Sequence, residues 1–224
     1  MVHITDFADK LKEIRLEWDK AESSIKIAEQ INNQVVFPAV KELRYAGRRI
    51  VDALANCATA GDESAIRALL DDALFDCYRA RHDAIDAAIS KISTHLDAVT
   101  SKLGYSALTV GFPEFSALYD ELGKAQEVVA SSRGMRSDRD KLYVAIESVN
   151  MPPLVALYRK FKSSEPVMRG LAREERITKL ITIGSATLIG LAALIVAIWQ
   201  LSITSPAANT PSTPSKPDTS SQAK

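Results

Sequence analysis

The apolar residues of this chain recur at steps of three and four over most of its length, the spacing that lines one face of a helix. Phe7, Leu11, Ile14, Trp18, Ala21, Ile25 and Ala28 keep this alternation throughout. That is a heptad seam, narrower than an ordinary globular face. It predicts a first helix from Thr5 or Asp6 to about Val35. Pro38 suits the first turn of a second helix, since a helix start leaves that N–H unbonded anyway. This helix is expected to reach about Ala58, with Val40, Leu43, Gly47, Ile50, Leu54 and Cys57 turned inward.

A turn at Thr59-Ala60-Gly61-Asp62 precedes a third helix, expected from Asp62 to Leu103 and capped by Gly104. It bears two overlapping apolar stripes. One is small (Ala73, Cys77, Ala80, Ala84) and permits close helix approach; the other is larger (Ile85, Ile89, Ile92, Leu96, Val99, Leu103). An apolar loop around Val110-Gly111-Phe112-Pro113 leads to a helix over Pro113–Ser132 with Phe115, Leu118, Leu122, Ala125 and Val129 inward. Another helix follows a Ser137 cap and stops before Pro152. Pro153 opens a short one to Lys162, and a last helix starts near Ser164. No strand-like alternation of useful length interrupts the helical pattern.

Leu180 to Leu201 is a run of 22 residues without a formal charge. At about 1.5 Å per residue such a run spans roughly 33 Å, enough to cross a hydrocarbon core of about 30 Å. Arg169, Arg173, Arg176 and Lys179 precede it, and Trp199 lies near its far end, where an indole suits the interface. The predicted fold is therefore all-α: an elongated cytosolic helical bundle with coiled-coil-like seams over residues 1–163, a basic neck over 164–179, and one C-terminal transmembrane helix over 180–201. A Pro/Ser/Thr-rich tail, 202–224, has no bulky apolar residue and is expected to be disordered and extracytoplasmic.

Charge supplies the orientation. Residues 1–154 carry 19 Lys and Arg against 24 Asp and Glu, while residues 155–179 carry 7 against 3. A basic neck beside a span marks the cytoplasmic side, and the N-terminus has neither the basic nor the apolar region of a secretory signal. The expected location is the cell inner membrane, single-pass, with the N-terminal domain in the cytosol. Cys57 and Cys77 fall on apolar stripes and read as reduced core thiols.

Catalytic chemistry is hard to find. His3, His82 and His95 are the only histidines and form no metal-ligand spacing, and no glycine-rich phosphate loop is present. We expect no enzyme, no catalytic residue, no metal and no cofactor. Asp72, Asp76, Asp83, Asp86 and Asp97 share one stripe of the third helix, which reads as a solvated or partner-facing acidic ridge. On the second helix Lys41, Arg44, Arg48 and Arg49 fall in one arc with Tyr45. Guanidinium groups pair with phosphate and a tyrosine ring stacks on bases, so this arc is an anion-site candidate for a nucleotide or oligonucleotide. Pairing with the acidic ridge is the plainer reading. Arg81 lies in line with apolar positions, so it calls for an acid across the bundle or lines a ligand pocket.

Within the span, Thr182, Ala186, Gly190, Ala193 and Ala197 put small side chains along one face, the pattern that lets helices pack closely in lipid. Seams, complementary ridges and small stripe together point to a homo-oligomer. One helix cannot enclose a channel, so a pore needs at least about four copies. In layout the chain resembles the small single-pass membrane effectors of bacterial anti-phage defence, which join a cytosolic sensing part to a membrane segment. That resemblance implies a tail-anchored effector that gathers its spans into a gated pore or permeabilises the inner membrane, triggered by an anionic nucleotide or oligonucleotide. The alternative is a passive scaffold that recruits a cytosolic protein partner to membrane lipid.

Overall fold

In the computed structural model, residues 3–59, 61–135 and 138–203 are described; the Ser137 cap and the tail beyond Ile203 lie outside them. Every regular element among them is helical. A single 3-10 turn, Ile4–Phe7, leads into α1 (Ala8–Asn32). It is followed by α2 (Phe37–Ala58), α3 (Glu63–Leu103), α4 (Tyr105–Gly111), α5 (Phe115–Gly134) and α6 (Arg139–Ala145). A π-turn over Ile146–Asn150 then runs into α7 (Met151–Ile203). The chain divides into two compact units, Met1–Arg173 and Glu174–Lys224.

The first unit is built on α3. Its small stripe (Ala73, Cys77, Ala80, Ala84) is fully buried, and so is most of the larger one from Ile85 to Val99. A helix apolar on two sides must be covered on two sides. Ion pairs fix the directions of its neighbours. Lys10 reaches Asp71 and Glu17 reaches Arg81, so α1 runs with α3, whereas Arg79 to Glu42 and Arg49 to Asp76 make α2 antiparallel to it. On the other side Tyr119 bonds Asp97 and Gln126 bonds Ser93, an antiparallel α5. Tyr143 and Tyr158 hold the α6–α7 segment alongside through Asp86 and His95.

Several boundaries differ from the sequence expectation. α1 stops at Asn32 rather than near Val35, because Asn33 takes the left-handed conformation (φ 55°), one that asparagine tolerates better than most. Gly104, at φ 82°, ends α3 as expected. The expected loop around Val110 is instead the end of a short helix, α4.

The inner face of α2 is rotated from the predicted one. Leu43 is buried, but it is joined by Ala39, Glu42, Ala46 and Ala53, while Val40 and Leu54 are exposed. The alanines allow α2 to approach the equally small stripe of α3. Gly47 faces Trp18, whose ring would lie 3.5 Å from an added Cβ. Nor do Pro152 and Pro153 end a helix. They occupy the first turn of α7, where no N–H is required, and α7 continues without a break at Lys162 or Ser164 and through Pro166.

The second unit is helical from Glu174 to Ile203. Its apolar stretch is long enough and apolar enough to span a membrane, and none of it is buried within the chain.

Candidate functional site

The structure divides the basic arc of α2. Arg49, half-buried, lies 3.1 Å from Asp76 and 3.4 Å from Asp72 and donates to the Asp72 carbonyl. Arg48 turns along its own helix to Asp52 at 3.0 Å. Lys41 and Arg44 find no carboxylate among the described residues. Both sit over the Tyr45 ring, at 5.4 and 5.6 Å from its centroid, forming an exposed cation–π cluster. The acidic ridge is likewise not all solvated. Asp76 is 1% exposed, and burial raises its pKa above the ordinary range despite the opposing pull of Arg49. Glu42, also buried, faces Arg79 at 3.3 Å.

Arg81 is the largest fully buried side chain. Its Nη1 donates to Glu17 Oε2 at 2.8 Å, Glu147 Oε2 lies at 3.9 Å, and the guanidinium stands over the Tyr78 ring. Glu17 in turn holds Lys20, and Ser24 donates to Glu147 at 2.8 Å. Thus α1, α3 and the π-turn share one interior charge cluster. The Nε and Nη2 of Arg81 have no hydrogen-bond acceptor among the described residues.

Sequence reasoning missed the groups beside it. His82 stacks on Tyr143 with ring centroids 3.8 Å apart, and Tyr143 donates to Asp86 at 2.7 Å. Burial, reinforced by Arg139 and Arg81, pushes the His82 pKa down to about 3. Asp140 lies 3.1 Å from Nε2 but off the line of a hydrogen bond, so the imidazole stays neutral. Further along α3, His95 is held on both nitrogens: Tyr158 lies 2.9 Å from Nδ1 and Glu165 3.1 Å from Nε2. That arrangement fits a neutral ring accepting at Nδ1 and donating at Nε2. No sequence spacing signals either cluster, since each partner comes from α6 or α7, more than fifty residues away.

These groups pack against one another inside the bundle. Cys77 is buried and its thiol pKa is raised to about 12, which leaves no thiolate to react. No cluster of metal-ligating side chains occurs among the described residues. An open groove of about 280 Å³ beside the π-turn has mainly apolar walls, including Ile27, Ile85, Met151 and Val155, with Ser24 and Glu147 at its edge.

In the second unit Thr182, Ala186, Gly190, Ala193 and Ala197 are all exposed, and a Cβ added at Gly190 would meet nothing within 4 Å. The hydroxyls of Thr182, Ser185 and Thr187 each donate to a carbonyl of their own helix, at 2.9, 2.9 and 2.7 Å. A span must satisfy its polar groups in this internal way, because lipid offers no partner. Comparison with known proteins returns no matching family model, no matching curated protein and no matching solved structure.

Proposed function

We propose that this is a membrane-anchored effector whose copies assemble through the helical unit and the span, producing a gated pore or a permeable lesion in the inner membrane. The helical unit then lies in the cytosol, on the side marked by Arg169, Arg173, Arg176 and Lys179. One observation carries the reading: a stretch of membrane length, apolar and with none of it buried, follows a bundle whose main apolar stripes on α1, α3 and α5 are packed inside. Such a helix has to be covered, by lipid on its large side chains and by other copies along Thr182, Ala186, Gly190, Ala193 and Ala197. Its hydroxyls, already satisfied within the helix, carry no penalty in either setting. In layout this remains similar to the single-pass effectors of anti-phage defence.

The test pairs the mass of the detergent-solubilised assembly with ion flux across liposomes containing the full chain. Wild type should give an oligomer and flux, and Ala186→Leu with Gly190→Leu should remove both. A monomer without flux would leave the span as an anchor alone and would defeat the pore.

A further inference from the structure

The exposed surface of α2 has a composition that no other long helix of the first unit shares. Its exposed residues are Phe37, Pro38, Val40, Lys41, Arg44, Tyr45 and, further along, Arg48, Val51, Leu54, Ala55 and Ala58. All are apolar, aromatic or cationic. The helix has two acids, and both are engaged: Glu42 is buried against Arg79 and Asp52 is held by Arg48. By contrast α1 exposes Asp9, Glu13, Asp19 and Glu22 among its lysines, and α5 exposes Asp120 and Glu127 beside Lys124.

The two kinds of exposed residue share one face, which leans from apolar at one edge to cationic at the other. On a wheel of 100° per residue, Val40, Gly47 and Leu54 form one edge, Phe37, Arg44 and Val51 the middle, and Lys41 and Arg48 the other edge. Phe37 is 73% exposed and Val51 57%, an outlay of apolar surface that water does not reward. From this exposed face of cations and apolar side chains we infer that α2 is a docking surface for an anionic phospholipid bilayer, with Lys41, Arg44 and Arg48 on the headgroups and Phe37, Val40 and Val51 in the headgroup–acyl boundary.

Other occupants fit less well. A soluble nucleotide would engage the cations but leave Phe37, Val51 and Leu54 in water. A second copy offering the same face would oppose cation to cation. The acidic ridge of α3 is already occupied by Arg49 and by burial of Asp76. Charge complementarity singles out an anionic surface that is apolar just beneath. The inference rests on the chain being membrane-anchored and is independent of pore formation.

The experiment uses the full chain with the photoreactive residue p-benzoylphenylalanine replacing Val51, reconstituted into vesicles of phosphatidylcholine with or without phosphatidylglycerol. Leu16, exposed on α1, is the control position. Flotation of the vesicles first reports anchoring: a chain left at the bottom overturns the anchored reading and this inference together. For the floating protein, illumination should give phospholipid adducts at position 51, far more with phosphatidylglycerol than without, and few at position 16. Each cation near an anionic surface is worth about fivefold in binding, so Lys41→Glu with Arg44→Glu should lower the adduct yield by at least about tenfold. Floating protein that crosslinks at 51 to a second chain, or to nothing, overturns the docking surface and leaves anchoring intact. Equal lipid adducts at 51 and 16, or a yield unmoved by the double substitution, would mean passive proximity and overturn it as well.

Discussion

The two units treat the same chemistry in opposite ways. In the first, Ile66, Ile92, Leu96 and Leu118 are wholly hidden, and the interior has room even for Arg81, Glu17 and Asp76. In the second, Leu188, Leu191 and Ile195 are exposed, and the hydroxyls of Thr182, Ser185 and Thr187 are bonded to their own backbone. The second unit's pattern fits a bilayer by length and composition, and the first unit's does not. A helix with exposed leucines aggregates in water, while a buried arginine is stable only where a carboxylate and a packed interior are supplied. The contrast teaches that hydrophobicity alone does not tell core from span; what distinguishes them is whether the rest of the chain covers it.

The harshest way to break the comparison is to charge the span. Leu188→Lys with Leu191→Lys should cost about 6 kcal/mol of insertion, at roughly 3 kcal/mol per lysine near a helix centre. Carbonate extraction should then shift the chain out of the membrane pellet while the bundle's circular dichroism stays the same. Persistence in the pellet would contradict a transmembrane role. Next in size is Arg81→Ala, which leaves Glu17 without its buried partner and should destabilise the first unit by about 3 to 5 kcal/mol in urea unfolding. If Arg81 were instead dispensable, the midpoint would barely move.

One substitution made in both units sharpens the contrast. Leu96→Ala should cost the bundle about 3 kcal/mol through the cavity it leaves, whereas Leu191→Ala should leave the bundle's midpoint untouched. Equal effects would mean that the span is part of the core. A smaller effect concerns pH. The unfolded chain protonates its histidine near 6.5, but buried His82 resists until about 3, so below 6.5 the unfolded state binds the extra proton. Stability should therefore fall as pH drops from 7 to 5, by up to about 1.4 kcal/mol per unit, and His82→Gln should flatten that slope. Asp140, Asp83 and Asp76, whose pKa values are raised mainly by burial, act with the opposite sign. An unchanged slope in the variant would remove His82 as its source. Smallest of all, Arg48→Ala removes only the exposed pair with Asp52 and should shift the midpoint by less than about 0.5 kcal/mol.

What could be read from residue order depended on side-chain size. The seam of α1, the large stripe of α3, the inward set of α5 and the span all stand out, because bulky apolar residues at helical spacing have few other uses. α2 was misread by one step because its contact with α3 runs through alanines, which a scan for bulky residues passes over. Asp76 was legible as part of a ridge either solvated or facing a partner, and Arg49 from α2 is the group that meets it in the fold. Arg81 announced itself by standing in an apolar line. Its partner Glu17 did not, since it sits one place before Trp18 on the edge of a seam. Membership of the basic arc was legible, but its division between an internal pair at Arg49 and an open group at Lys41 and Arg44 needed the packing of α3.

The π-turn before α7 has a consequence for length. Buried positions advance from Tyr143 to Ile146 by three, then from Ile146 to Met151 by five, and resume with Leu154, Tyr158 and Phe161. The wide turn takes up one surplus residue, so the faces before and after it both reach the same interior. Deleting Val149, which is exposed, would let the segment close into ordinary helix with both faces kept in place. The same deletion a few residues later would swing Tyr158 and Phe161 about 100° out of phase. The turn is thus a stretch of the α6–α7 segment where the loss of a single codon is forgiven.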